Sequence, residues 1–68
     1  AMGLLAGVPD LLLLQAPGRL YAFELKTSTG RVSPEQAKLH HAWGGAGVEV
    51  QIIRSLDEFQ QAIKTIIP

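Results

Sequence analysis

The chain contains no cysteine, which excludes disulfides and thiolate zinc sites. It carries no excess charge of either sign: six Lys and Arg balance six Asp and Glu. That balance argues against a general nucleic-acid coat protein, though not against an enzyme whose acids face a bound cation. Long apolar runs are missing as well. None is longer than Leu11-Leu12-Leu13-Leu14, far short of the roughly 20 residues that cross a bilayer. Nothing resembles a secretory leader, so a soluble, cytoplasmic protein is expected. There is no internal repeat, low-complexity tract or linker.

What is present is apolar. Hydrophobic residues make up 47% of the 68, well above the content of a disordered segment. The length allows one small domain over residues 1–68, near the lower limit for a self-sufficient core. So much apolar side chain is hard to bury in one monomer, and a homodimer hiding an apolar patch is expected. Ala1-Met2-Gly3 has the look of a cloning scar, so the natural chain is expected to start upstream.

Residues 3–7 read as a small, flexible lead-in ending at Pro9. The continuous leucine of residues 10–14 has the pattern of a strand covered on both faces. Gln15-Ala16-Pro17-Gly18-Arg19 is turn chemistry, and residues 20–26 form a second strand, making a β-hairpin. A three-residue loop, Ala16-Pro17-Gly18, pairs Gln15 with Arg19 and sets Asp10 opposite Glu24 on one face. Opposed Cα atoms lie about 4.5–5.5 Å apart, close enough for both carboxylates to meet one ion. A two-residue Pro17-Gly18 loop would set Asp10 opposite Leu25 instead and part the acids by face. Along the second strand Ala22, Glu24 and Lys26 share one face; Tyr21, Phe23 and Leu25 share the other.

A polar loop, Thr27-Ser28-Thr29-Gly30-Arg31, follows. Ser33-Pro34-Glu35-Gln36 then opens a helix: serine caps, proline takes the first turn and glutamine closes a capping box. The helix should run to about Trp43 and stop at Gly44-Gly45. Residues 48–53 alternate as a third strand. Ser55-Leu56-Asp57-Glu58 reads as a second capping box, starting a helix with apolar positions Leu56, Phe59, Ile63, Ile66 and Ile67. The fold class is therefore α/β, order β-β-α-β-α. Because a helix connects strands two and three, these should be parallel, giving a three-stranded mixed sheet with helices packed on it.

Asp10, Glu24 and Lys26 converging at strand ends can hold a divalent cation and orient a water against a phosphodiester. Singly, each has a plainer explanation: Asp10 as a solvated carboxylate after a proline turn, Glu24 and Lys26 as an exposed ion pair.

Together the motifs resemble a known family. Gly7-Val8-Pro9-Asp10, Glu24-Leu25-Lys26 and Gly30-Arg31-Val32-Ser33-Pro34-Glu35-Gln36 resemble the VRR-NUC branch of the PD-(D/E)XK nucleases. The Gly47-Val48-Glu49-Val50 strand and the Ser55-Leu56-Asp57-Glu58 helix start fit it too. The resemblance implies a minimal nuclease core acting as a metal-dependent DNA endonuclease, with branched or junction DNA as the expected substrate. By the same resemblance Asp10 and Glu24 ligate Mg2+ or Mn2+ with the backbone carbonyl of Leu25. Lys26 positions or helps deprotonate the attacking water, and Gln36 supports the site. Members usually carry an earlier helix with a further glutamate directed at the metal. Only nine residues precede Asp10 and none is acidic, so that helix is expected to be lacking.

Gln36 has two claims on it, as capping residue and as site residue, which one side chain is not expected to satisfy fully. His40, one turn on, shares its face with Trp43; it either touches a phosphate or is a hydrogen-bonded histidine at the edge of a core that includes Leu39 and Trp43. A zinc site with His41 is disfavoured because adjacent helical positions diverge. Arg31, Lys38 and Arg19 are candidate phosphate contacts, or simply solvated charges. The competing functions are an inactive nuclease fold that dimerises or binds DNA, and a small α/β domain whose Glu-x-Lys is incidental.

Overall fold

Gly18, at φ 107°, supplies the left-handed step that closes the hairpin, and its amide donates to the Gln15 carbonyl at 2.9 Å. In the computed structural model, which describes residues 8–67, this loop joins β1 (Leu11–Gln15) to β2 (Arg19–Leu25). The expected lead-in, the cloning-scar positions and the question of an earlier helix lie outside the described residues. The antiparallel register runs from Gln15↔Arg19 to Leu11↔Phe23. It is the register of the three-residue loop, so Asp10, one step beyond, falls opposite Glu24.

Next come α1 (Pro34–Gly45), β3 (Val50–Ile53) and α2 (Leu56–Ile66). β3 pairs parallel with β2, and the sheet order is β1-β2-β3. The expected β-β-α-β-α order and mixed sheet are therefore present.

Alternation along β2 divides the two helices between the two faces of the sheet. Phe23 and Ile53, with Ile66 of α2, form the buried core, and Leu13, Tyr21, Phe59, Ala62 and Ile63 pack against it. Phe23 and Phe59 meet edge to face, 5.5 Å between centroids, a favoured aromatic geometry. Gln15 ties the hairpin to α2, its Nε2 donating to the Ile66 carbonyl at 3.0 Å. On the other face Ala22 and Glu24 are buried, and α1 supplies the side chains that reach Glu24.

Several local expectations need correcting. The leucines of β1 are not covered on both faces: α2 reaches Leu13 on one face, but on the other Leu12 is 54% and Leu14 72% exposed, because β1 is an edge strand and α1 does not extend over it. β3 begins at Val50 rather than Val48, since Val48 is taken up in ending α1. That helix passes through Gly44 and Gly45 and ends in a Schellman motif. Gly47, at φ 96°, is the left-handed residue, with Gly47 N–H donating to Gly44 O at 3.0 Å and Val48 N–H to Trp43 O at 2.8 Å. Leu39 and Trp43 are only half-buried and lie outside the core cluster. In α2 the apolar stripe overruns the core at both ends, leaving Leu56 and Ile67 exposed. The second capping box is also only half formed. Ser55 Oγ accepts from Glu58 N at 3.1 Å, but Glu58 Oε1 accepts from Arg54 N, one residue before the cap.

Candidate active site

The hairpin brings Asp10 to the end of β2. Its Oδ2 accepts from Leu25 N at 2.8 Å, continuing the ladder where β1 has stopped, with buried Pro9 behind it. Glu24, on the α1 side of the sheet, is 2% exposed. Burial first, then the Asp10 carboxylate beside it, pushes the Glu24 carboxyl above its ordinary 4.5; Lys26 and His40 pull the other way.

Gln36 connects these groups. Its Oε1 accepts from Ser33 N at 2.9 Å and from Lys26 Nζ at 2.7 Å. Its Nε2 donates to Glu24 Oε2 at 3.0 Å. The capping box is complete, with Ser33 Oγ accepting from Gln36 N at 3.1 Å. Capping and site support are thus not exclusive, because a carbonyl oxygen has two lone pairs and the amide nitrogen remains free to donate. Lys26 Nζ lies 3.9 Å from Glu24 Oε2, and His40 Nε2 lies 3.5 Å from Glu24 Oε1. Glu24 Oε1 is buried without a hydrogen-bond partner.

An orphaned, buried carboxylate oxygen beside a second carboxylate suits a hard divalent cation, which takes oxygen ligands and keeps part of its water. Among the described residues no group of three or more His, Cys, Asp or Glu side chains is gathered to hold a metal. The candidate donors are thus two carboxylates, with water left to complete the shell.

The VRR-NUC domain family model matches residues 1–57, most of the chain. The chain belongs to the VRR-NUC family. A VRR-NUC domain is a nuclease domain of the PD-(D/E)XK type. No match was found among curated proteins or among solved structures.

In this VRR-NUC domain the fold gathers Asp10, Glu24, Lys26, Gln36 and His40. It does not gather the other basic candidates. Arg31 and Lys38 are exposed, with no hydrogen bond to the site among the described residues. Arg19 sits at the turn, five residues along β2 from Glu24, about 17 Å at strand rise.

Sequence reading missed Arg54. Its guanidinium Nη1 donates to the carbonyls of Thr27 at 2.9 Å and Gly30 at 2.6 Å, anchoring the loop that leaves β2 after Lys26. The signal was there in the topology. Parallel pairing of Leu25 with Ile53 puts the residue after β3 beside the residues after β2. A glycine suits the second contact point, since a Cβ on Gly30 would stand 3.0 Å from Thr27 Oγ1.

Proposed function

We propose that this VRR-NUC domain is a divalent-metal-dependent endonuclease that hydrolyses DNA phosphodiester bonds. The observation that carries the reading is the pairing of buried Glu24, one oxygen unpartnered, with the Asp10 carboxylate. Asp10, Glu24 and the Leu25 carbonyl would hold magnesium or manganese. Bound there, the ion supplies Lewis-acid polarisation of a phosphoryl oxygen and a water of lowered pKa. Lys26, its ammonium fixed by Gln36 Oε1 at 2.7 Å, orients the attacking water and offsets the growing negative charge on phosphate. Gln36 holds both Lys26 and Glu24 in place from the first turn of α1. Arg31 and Lys38, exposed and cationic, are available to the DNA backbone.

A cytoplasmic location, a homodimer and a preference for branched or junction DNA belong to the same proposal. The exposed leucines of β1 favour the dimer, and two sites in one particle suit two strands. Those leucines equally fit an inactive fold that only dimerises or binds DNA. Cleavage assays with Mg2+ or Mn2+ on plasmid and junction DNA separate the two. The expected result is metal-dependent cleavage, lost by at least a hundredfold in Asp10→Ala and Glu24→Ala. Cleavage that survives both substitutions would falsify the assigned site.

A further inference from the structure

Two buried polar atoms face each other with no hydrogen-bond partner, Glu24 Oε1 and His40 Nε2, 3.5 Å apart. The other carboxylate oxygen is already held, by Gln36 Nε2 at 3.0 Å with Lys26 Nζ at 3.9 Å. Oε1 is the free edge of the group. His40 follows Gln36 by one helical turn, so α1 presents an amide and an imidazole to the two oxygens of one carboxylate. The His40 side chain is only 14% exposed, and its Nε2 is turned to Glu24.

We propose that His40 is a positioning residue for Glu24, fixing the rotation of the carboxylate so that it meets the cation in one orientation. This rests on the metal-site reading above and adds a role for α1 beyond Gln36. Gln36 alone restrains one oxygen, about which the carboxylate can still turn. A donor at Nε2 restrains the other and removes that freedom. His40 is not offered as a ligand: it stands beside Glu24, but among the described residues no three His, Cys, Asp or Glu side chains form a group that could hold a metal. Partners that orient a metal-binding side chain commonly contribute about 10–100-fold to metal affinity.

The test is Mn2+ binding to the full chain by titration calorimetry at one fixed pH, beside urea unfolding without metal. Wild type, Glu24→Ala, His40→Ala, His40→Leu and His40→Gln are compared. His40→Ala and His40→Leu are expected to weaken Mn2+ binding by about tenfold or more. His40→Gln, which keeps a donor of similar reach but not the ring, is expected to recover most of that loss. If His40→Ala fails to fold, the contrast between the leucine and glutamine variants still decides. Binding within twofold of wild type in the alanine or leucine variant overturns the proposal. So does a glutamine variant as weak as the leucine one, which would make the effect ring packing alone. Failure of the metal reading itself looks different: wild type binds no Mn2+, or Glu24→Ala binds it equally well, and the proposal falls with it.

Discussion

Every polar atom of the Gln36 side chain is engaged, and one of its bonds holds Glu24 in place. The amide nitrogen donates to Glu24 Oε2, while burial and the neighbouring Asp10 outweigh Lys26 and His40 and keep the Glu24 carboxyl above its ordinary 4.5. A raised carboxyl takes up its proton more readily in the folded state than in the unfolded one. Stability from this group is therefore fully present below 4.5 and is lost as pH rises through the elevated folded value. Glu24→Gln mimics the protonated form and escapes that loss. In urea unfolding without metal, the stability advantage of Glu24→Gln over wild type should grow from pH 4.5 upward and then level off. Saturating Mn2+ should shrink or reverse the advantage, since a cation rewards the ionised carboxylate. An advantage independent of pH would mean that Glu24 titrates as an exposed acid does.

At the scale of elements, the two ends of α1 differ in how well they could be read. Its start follows local rules, and Ser33, Pro34 and Gln36 fill the roles their positions suggest. Its end is ambiguous in sequence, because Gly44, Gly45 and Gly47 could each stop a helix and only the dihedral angles choose among them. Gly47, with φ 96°, is the stop, whereas Gly44 is helical, with open space where a Cβ would stand. Alanine should therefore act in opposite directions. Gly47→Ala forces a side chain into the left-handed region and should cost about 1 kcal/mol. Gly44→Ala should add up to about 1 kcal/mol through helix propensity. Urea unfolding of both variants checks this; equal signs would contradict the Schellman assignment. The hairpin register was legible only as two alternatives, a three-residue or a two-residue loop, and the Gln15↔Arg19 pairing with Gly18 at φ 107° decides for the first. The exposure of β1 was not, because four leucines in a row read as buried unless strand order is known. Arg54 escaped notice for the same cause, its partners being set by the pairing of β3 with β2.

For the whole molecule, the buried hydrophobic core of the described residues is Ala22, Phe23, Ile53 and Ile66, while seven large apolar side chains stay exposed. A core that small leaves a monomer of this length marginal. Leu12 and Leu14 pair with Ala22 and Leu20, so they lie on the face that carries Glu24, beyond the reach of α1. An edge strand with apolar side chains invites a second strand or a second copy. Association through this strip would bring two candidate sites together, which suits the proposed action on two DNA strands. Wild type should sediment as a dimer at tens of micromolar, and its melting midpoint should rise with protein concentration, as mass action demands when only the folded chain associates. Leu12→Lys combined with Leu14→Lys should give a monomer with a lower, concentration-independent midpoint, because the two charges repel their symmetry mates across such an interface. The pair leaves the core untouched, and neither residue lies among the groups around Glu24. Mn2+ binding should therefore persist in the variant, while cleavage of junction DNA on both strands is lost. A wild-type monomer whose midpoint ignores concentration would contradict the dimer.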